Sequence, residues 1–593
     1  MKRIHYYILG AISAVCGLSS CSDFLEIEPQ NEIILEQFWN EKADVDAIVA
    51  GCYSGLQTEN VIKRMMMWGE FRSENIGPGS NVQNDGNLEK ILKENIDAKN
   101  TYTKWSDFYT VINRCNTVIK YAPGVAEIDP AYTQSELQAT IAEVVALRSL
   151  CYFYLIRAFR DVPFSREAFI DDDQPMDLPA TKFDNVLDSL IYDLEGVKNN
   201  AVKRYPVTKE LYQTGRITQD AIHALLCELY LWKKDYQNCV RYADLVINSK
   251  KAIYEENRKK KTSSLASDDV QDRFNGFPLV SNTTSSNYYG DAYTVLFGSD
   301  QNYVDDTNQE IIFQLVYDDD PQGTGMTANG AVNSFYGNSQ SKTGLVAPSD
   351  YIYAQIEATG QDRKVFADRN KKYDARIFIN CDYNGSSSSN KGINKYTTRT
   401  IDILANGSTP EASYGSKYAQ NQNGSNWIIY RLTDIMLLKA EALTQMMREG
   451  DDTETSKYNQ SLLDQAFYLV NAINKRSLCQ TQLTDTLSRA DYSTKGQMDN
   501  LVFQERQREL MFEGKRWFDL VRISQRDGNT NTLKNAALQK AITGAGLISN
   551  HLSKMDAIYW PYNLDEMKVN LNLVQNPAFG SGEDQSYEKT TKQ

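Results

Sequence analysis

The sequence contains few histidines, and this scarcity limits the catalytic chemistry that it can support. Its 593 residues include three: His5, His223 and His551. His5 lies in the first ten residues, and neither of the others belongs to a recognisable motif. A Ser-His-Asp triad or a histidine-ligated zinc site would need one of those two. Together with the motifs described below, this scarcity predicts a protein without enzyme activity, metal or cofactor.

Positive charge is also in deficit. The chain has 63 Lys and Arg against 77 Asp and Glu, for a net charge of −14. Proteins that bind nucleic acid or anionic lipid surfaces present clustered positive charge, so both classes of partner are disfavoured. A membrane-spanning helix needs about 20 apolar residues, and we predict no such span after the N-terminal segment.

That N-terminal segment resembles a bacterial lipoprotein signal. Lys2 and Arg3 precede a mostly apolar run at 4–18, and the run ends in Leu18-Ser19-Ser20-Cys21. This ending looks like a lipobox, with Ser20 where Gly or Ala is commoner. Residues 1–20 are then a signal peptide, and Cys21 carries the lipid that anchors the mature chain. The alternative is an ordinary secretory signal in which Cys16 and Cys21 are incidental.

Seven further cysteines, at positions 52, 115, 151, 227, 239, 381 and 479, do not form a recognisable disulfide framework. An exported chain can form disulfides, but the number is odd and the spacings are irregular. Cys151 and Cys227 lie among apolar residues of helical segments. This position favours buried free thiols.

Helical periodicity dominates both ends of the chain. Residues 215–249 have the pattern of a tetratricopeptide-like hairpin, with apolar residues at helical spacing on either side of the turn at 233–236. A second hairpin is predicted over 430–473, and a later helix from about Met498 to Arg522. We predict a mainly α fold whose scaffold consists of such hairpins.

The middle of the chain, at about 251–426, has a different character. Asn, Ser, Gly, Asp and Thr are frequent there, and short apolar runs such as 311–316 predict a few strands. A long loop-rich insertion in a helical protein is usually functional or disordered. The many aromatic residues within it argue against simple disorder.

Two other patterns in the sequence have simpler interpretations. Residues 323–328 fit a dinucleotide-binding fingerprint, but no helix is predicted to follow, and the acidic run 318–320 would repel phosphate. Residues 171–177 are acidic but lack the Gly and the closing Glu of an EF-hand loop. Both are predicted to be loops.

Several motifs resemble those of the SusD/RagB family, the outer-membrane nutrient-binding lipoproteins of Bacteroidetes. In chain order they are CSDFLEIEP at 21–29, FW at 38–39, AGCY at 50–53, AEVVALR at 142–148, DVP at 161–163, FEGKRWFDL at 512–520 and QNP at 575–577. The chain departs from the family pattern at Arg160, where Gly is usual, and at 560–563. Both departures lie in predicted scaffold segments.

The resemblance implies one SusD-like domain over 21–593, with an N-terminal part at about 21–250, the insertion at about 251–426 and a C-terminal part at about 427–593. It also implies a lipid-anchored protein on the outer face of the outer membrane. Such a protein binds oligosaccharides and acts as the lid of a TonB-dependent SusC-like transporter. Two alternatives remain: a peptide receptor of the same fold, and a surface glycoside hydrolase, because carboxylates are plentiful.

By analogy with the family, the ligand-facing loops lie near 74–100, 288–303 and 318–336. Aromatic faces stack on sugar rings, and polar side chains bind hydroxyl groups. The predicted ligand contacts are Glu74, Asn84, Tyr288, Tyr289, Tyr293 and Tyr336. For each tyrosine the alternative is a structural role, packing a loop against the scaffold.

The first prediction concerns the anchor. Replacing Cys21 by Ala removes the thiol that would carry the lipid, so the variant should lose palmitate labelling and leave the membrane fraction. Palmitate labelling of cells and membrane fractionation measure both outcomes. A Cys16→Ala variant is the control and should remain labelled. Labelling that persists in the Cys21→Ala protein would place the anchor elsewhere.

Overall fold

The computed structural model describes residues 38–171, 173–260, 274–281, 288–289, 291–298, 309–318, 327–337, 344–357, 374–382, 392–404, 411–415, 418, 422–479, 487–540 and 544–580. The first part of this chain is mainly helical. Its helices are α1 (Lys42–Leu56), α2 (Glu59–Met66), α3 (Gly86–Leu92), α4 (Ser106–Ile128), α5 (Gln134–Phe159), α6 (Phe183–Val197), α7 (Tyr212–Gly215), α8 (Gln219–Trp232) and α9 (Tyr236–Lys260). Three short strands accompany them: β1 (Ile76–Pro78), β2 (Val162–Pro163) and β3 (Ala180–Thr181).

The middle of the chain alternates short helices with short strands. In order they are β4 (Tyr288–Tyr289), α10 (Asp291–Phe297), β5 (Ile311–Leu315), α11 (Gly330–Tyr336), β6 (Val346–Pro348), α12 (Asp350–Glu357), α13 (Arg376–Asn380), β7 (Ile401–Leu404), β8 (Glu411–Tyr414) and β9 (Trp427–Arg431). Among the described residues the strands form small antiparallel sheets: β1–β6, β2–β3, β4–β7–β8 and β5–β9.

The last part is helical again. It contains α14 (Leu432–Gln445), α15 (Thr453–Ser477), α16 (Lys495–Leu510), α17 (Arg516–Asp527), α18 (Asn531–Gln539), α19 (Ala545–Leu552) and α20 (Leu564–Val569). A separate apolar core lies among α14, α15 and α16. The prediction of a mainly α chain with a few short strands in the middle is confirmed.

Helix α5 is the central helix of the first part. Thr133 caps its first turn, and the Glu136 side chain accepts a hydrogen bond from the Thr133 backbone in return, which forms a capping box. By length and hydropathy α5 could span a membrane, contrary to the prediction that no later segment could. However, 83% of its most apolar window is buried inside the protein, so it serves as a core helix.

The predicted hairpin at 215–249 is confirmed. Helices α8 and α9 are separated by the tight turn at 233–235, where Lys234 has a φ of 64°. The Thr218 side chain caps the first helix by accepting from the Ala221 N–H. Small buried residues, Ala224 and Cys227 on α8 and Ala243 on α9, allow the close approach of two helices.

The second hairpin consists of α14 and α15, but residues 427–431 before it are strand β9 rather than helix. The single helix predicted over 498–522 is also wrong, because the chain breaks between α16 and α17. Phe512 and Gly514 adopt φ values of 68° and 72° at the break. A Cβ on the facing Gly69 would lie 1.8 Å from the Gly514 carbonyl oxygen, so this contact requires glycine.

A cluster of buried charges joins the middle of the chain to helices α15 and α16. Arg431, which is fully buried, donates to Glu509 at 2.7 Å, to Glu513 at 2.9 and 2.8 Å, and to Glu310 at 3.1 Å. Arg476 also donates to Glu310 and Glu509. The cluster therefore connects β9, α15 and α16 with residue 310, which immediately precedes β5.

The same cluster extends to two further cations. Arg376 donates to Glu505 at 2.7 Å and to Glu509 at 3.1 Å, and Lys395 donates to Glu513 at 2.9 Å. Burial opposes ionisation of Glu509, but the Arg476 and Arg431 guanidinium groups outweigh it and hold the pKa of Glu509 well below its usual range. The Glu509 carboxylate therefore remains charged at neutral pH.

This arrangement predicts a large loss of stability when Arg431 is replaced by Met. The variant would leave three buried carboxylates short of a partner, which typically costs about 3–5 kcal/mol of unfolding free energy. Denaturant unfolding followed by circular dichroism measures the loss.

The matched control is Arg204→Met, because Arg204 pairs with Glu256 at 3.3 Å while both side chains are 40% or more exposed. Exposed pairs of this kind contribute about 0–1 kcal/mol. Equal losses in the two variants would contradict a stabilising role for the buried cluster.

Candidate functional site

Part of the predicted site lies outside the described residues. Cys21 belongs to this part, as do residues 290, 299–303 and 319–326 of the predicted ligand loops. The lipid anchor and those loop segments therefore stay predictions. The remaining candidate residues, Glu74, Asn84, Tyr288, Tyr289, Tyr293 and Tyr336, fall within described segments.

Glu74 has a structural position. Its side chain is buried and accepts hydrogen bonds from Arg516 at 3.0 and 2.6 Å and from Gln507 at 3.1 Å. Arg516 begins helix α17, so this ion pair fixes the start of the 74–84 segment to the C-terminal scaffold. A carboxylate held in this way is not exposed to a ligand, contrary to the prediction for Glu74.

Asn84 is exposed at the end of a short 3-10 turn, Val82–Asn84, and its contact with ligand stays a prediction. The next residue, Asp85, caps helix α3 by accepting from the N–H groups of Asn87 and Leu88. Asp85 also accepts from the Tyr102 hydroxyl at 2.5 Å. Asn84 therefore lies on a turn whose next residue, Asp85, is held both by the first turn of α3 and by Tyr102.

The structure brings the 74–84 segment against the insertion. Strand β1 pairs antiparallel with β6, and the Gly79 N–H donates to the Leu345 carbonyl at 3.0 Å. A Cβ on Gly79 would lie 2.2 Å from the Gly344 carbonyl oxygen, so a side chain at position 79 would separate the two segments. The Ser349 hydroxyl donates to the Glu74 carbonyl at 2.5 Å and closes the other end of the pair.

We call this surface the β1–β6 edge, defined as residues 76–84 with 344–348. Pro78, Ser80, Gln83 and Asn84 are exposed along it. The sequence patterns pointed to Asn84 as a candidate but not to the partner segment at 344–348. Pairing between positions about 270 residues apart leaves no local signal in the sequence.

Tyr336 and Tyr293 are core residues, contrary to the prediction that they contact ligand. Tyr336 on α11 is fully buried and donates its hydroxyl to the Phe512 carbonyl at 3.0 Å. Tyr293 on α10 is 2% exposed, and its ring centroid lies 4.8 Å from the Arg476 guanidinium carbon. Burial raises the pKa of both hydroxyl groups. The packing alternative holds for both tyrosines.

Tyr288 and Tyr289 form strand β4. Tyr288 pairs with Leu404 and Tyr289 with Ile403, so both lie on the outer strand of the β4–β7–β8 sheet. The sheet to which they belong is separate from β1–β6. Their contact with ligand stays a prediction.

A cleft of about 580 Å³ lies elsewhere, between helix α4, residues 163–178 and the C-terminal segment 566–573. Aromatic residues such as Trp105, Tyr109 and Tyr152 line it. Polar groups of the lining residues already form hydrogen bonds within the protein. Tyr109 donates to the Pro163 carbonyl at 2.7 Å, and Asn113 donates to the Phe169 carbonyl at 2.7 Å. The cleft therefore offers few free hydrogen-bonding groups to a hydroxyl-rich ligand.

Three buried carboxylates of the described core, Glu70, Glu505 and Glu513, do not suit the role of a glycosidase acid. A glycosidase acid needs a raised pKa and a place in a cleft. The pKa values of Glu505 and Glu513 are lowered, because neighbouring cations outweigh the opposing effect of burial. Burial raises the pKa of Glu70, but this side chain is inaccessible and accepts from the N–H groups of Lys515 and Arg516 at 3.0 and 3.2 Å.

The two histidines outside the N-terminal segment are packed separately. His223 lies against Tyr242 with ring centroids 5.6 Å apart, and His551 lies against Phe579 at 5.4 Å. Burial lowers the pKa of both. Within the described ranges, no three His, Cys, Asp or Glu side chains converge to form a possible metal site.

Comparison with known proteins gives matches over almost the whole chain. The SusD family profile matches residues 309–579, and a second profile, described as starch-binding associating with outer membrane, matches residues 23–231. SusD-like protein P38 of Formosa agariphila is 26% identical over 575 residues, which is 95% of this chain and 96% of that protein.

Solved structures share the fold. A SusD superfamily protein from Bacteroides thetaiotaomicron superposes with a TM-score of 0.61 at 19% identity, covering 91% of this chain and 99% of its own. Surface glycan-binding protein A from Bacteroides uniformis superposes with a TM-score of 0.57 at 18% identity, and the match covers 90% of this chain and 99% of that protein. The two profiles match residues 23–231 and 309–579, and this chain belongs to the SusD/RagB family.

Proposed function

We propose that this protein binds oligosaccharides at the cell surface and delivers them to a TonB-dependent SusC-like transporter, for which it acts as a lid. The observation that carries the proposal is the full-length similarity to SusD-like proteins, one of which is a surface glycan-binding protein. The profile described as starch-binding associating with outer membrane supports the same location and ligand class. Anchoring through Cys21 would hold the protein beside the transporter.

The β1–β6 edge suits the proposed ligand. Gln83 and Asn84 are exposed amides, and an amide can both donate to and accept from a sugar hydroxyl. The edge is held at its root by the Glu74–Arg516 pair and by the β1–β6 ladder. A root fixed in this way reduces the entropy lost when a ligand orders the loop.

Strand β4 is the second proposed contact region. Tyrosine rings stack on the C–H faces of sugars and present a hydroxyl to their edges, as other aromatic contacts combine apolar and polar recognition. Adjacent residues of a strand belong to opposite faces of the sheet, so Tyr288 and Tyr289 need not contribute equally. The proposal keeps Asn84, Tyr288 and Tyr289 and leaves out the buried Glu74, Tyr293 and Tyr336.

Calorimetry on a Tyr288→Ala/Tyr289→Ala double variant tests the contact region. The probe is the tightest-binding member of a panel of soluble plant, algal and host oligosaccharides. One aromatic contact contributes about 0.5–1.5 kcal/mol beyond area burial, so losing two should weaken binding about tenfold. The melting temperature should stay unchanged.

Tyr192→Ala is the matched control, because Tyr192 lies on scaffold helix α6 and is 77% exposed. It should bind the oligosaccharide like the parent protein. Unchanged affinity in the double variant would move the site away from β4. A lowered melting temperature would instead assign these tyrosines a packing role. If the panel yields no ligand but a peptide library does, the peptide-receptor alternative replaces the oligosaccharide.

A further prediction separates binding from hydrolysis. The purified protein, incubated for a day with its bound oligosaccharide, should return the sugar intact when the mixture is analysed by chromatography. The physical reason is that the core carboxylates are ion-paired or inaccessible. Turnover that disappears when one carboxylate is replaced by its amide would establish a hydrolase instead.

A further inference from the structure

Two cysteine thiols lie in direct contact inside the α8–α9 hairpin. Cys227 on α8 and Cys239 on α9 have their sulfur atoms 3.7 Å apart, and both side chains are fully buried. The Cys239 sulfur is also 3.9 Å from the Leu438 carbonyl oxygen on α14, which covers the pair from the C-terminal side. Sulfur–sulfur van der Waals contact therefore already exists in the reduced protein.

The geometry requires little movement for a bond to form. A disulfide has its sulfurs about 2.05 Å apart, so these two need to approach by about 1.6 Å, a change that side-chain rotation and a small helix shift can share. The pair is separated by 12 positions along the chain, across the tight turn at 233–235. Closing so short a loop costs little conformational entropy, and the hairpin itself pre-aligns the two residues.

We propose that Cys227 and Cys239 are joined by a disulfide in the exported protein, where it staples the first tetratricopeptide-like hairpin. The proposal rests on the exported location given under the proposed function, because disulfides persist in oxidising compartments. It is independent of which ligand the protein binds. The oxidant is a protein or small-molecule disulfide of that compartment.

The reaction proceeds by thiol–disulfide exchange. One cysteine thiolate attacks a sulfur of the oxidant disulfide, forming a mixed disulfide and releasing one oxidant sulfur as a thiol. The second cysteine, after losing its proton, then attacks the protein sulfur of the mixed disulfide. The Cys227–Cys239 bond forms and the other oxidant sulfur leaves. Two electrons and two protons pass from the cysteines to the oxidant.

Burial of the two thiols determines the stage of folding at which this exchange can take place. In the folded protein, burial and the adjacent Cys239 raise the pKa of the Cys227 thiol well above its usual value, so attack by a thiolate is slow. The hairpin is a local unit, whereas α14 is some 200 residues later in the chain. Oxidation is therefore expected while the hairpin forms and before α14 covers it. Once covered, the bond is shielded from reductants.

The other buried thiols are less suitable. Cys115 is beside Cys52, with Cys151 close by, but these three residues lie on α4, α1 and α5. They meet only after three helices have packed, by which stage all are buried. The local Cys227–Cys239 pair therefore has the advantage in timing.

The hairpin staple also has a structural consequence. Glu228, the residue after Cys227, accepts from Arg157 on α5 at 2.8 Å and from the Tyr430 hydroxyl on β9 at 2.6 Å. A bond at position 227 would constrain the turn of α8 that carries this carboxylate. It would thus restrain Glu228, through which the hairpin contacts both α5 and β9.

Thiol mapping on the full exported protein tests the proposal. The protein is released from membranes without reductant, quenched in acid and alkylated with iodoacetamide in denaturant, with and without prior reduction. The unreduced sample should carry two fewer alkyl groups than the reduced one. Peptide mass mapping should find the peptide containing Cys227 linked to that containing Cys239, lighter by two hydrogen atoms than the separate peptides together.

Two variants complete the test. In the Cys151→Ser variant, the unreduced sample should still carry two fewer alkyl groups than the reduced one. In a Cys227→Ser/Cys239→Ser double variant, the two samples should carry the same number. Reductant should lower the melting temperature of the parent protein but leave that of the double variant unchanged. If all seven described cysteines are alkylated without reduction, or if the linked peptides join another pair, the proposal is wrong. The mapping uses the parent protein, so its result does not depend on how well a variant folds.

Discussion

The burial of Arg431 among Glu310, Glu509 and Glu513 is the constraint on which the rest of the structure depends. A buried guanidinium or carboxylate is costly unless its partners are in place. These partners come from widely separated parts of the chain: position 310 precedes a strand of the insertion, while 509 and 513 belong to the end of α16 and the break that follows. All charges of the cluster are paired only when these segments have assembled. A partly assembled state would contain buried unpaired charges and is therefore strongly disfavoured.

The cluster explains how described segments of the loop-rich middle of the chain are fixed to the helical scaffold. Glu310, Asp374, Arg376 and Lys395 all belong to it, and all are buried. Strand β5 adds backbone pairing to β9 directly beside Arg431. The described roots of the insertion are therefore part of the same core as the hairpins. The amides of the β1–β6 edge project from a segment that is fixed separately, by the Glu74–Arg516 pair and the β1–β6 ladder.

Local patterns identified what local physics determines. The α8–α9 hairpin could be predicted, because its apolar spacing, its Thr218 cap and its turn lie within 40 residues of sequence. The break between α16 and α17 could not, since the positive φ values of Phe512 and Gly514 are stabilised by a close contact with Gly69, more than 400 residues earlier. Tyr336 illustrates the same limit. Flanking Asn, Ser and Gly residues indicated an exposed loop, but Phe512 supplies a distant carbonyl that makes burial of the hydroxyl possible.

Hydrogen-bond satisfaction distinguishes the cleft beside α4 from the β1–β6 edge. Aromatic residues line the cleft, yet Tyr109 and Asn113 already bond to backbone carbonyls within the protein. A sugar entering it would lose water from its hydroxyls without full replacement, and unpaired buried polar groups cost about 1–3 kcal/mol each. The exposed amides of the β1–β6 edge can replace that water. This difference is why we propose the edge, and not the cleft, for a ligand composed largely of hydroxyl groups. Affinity at such an edge must come from several modest contacts rather than from one enclosed pocket.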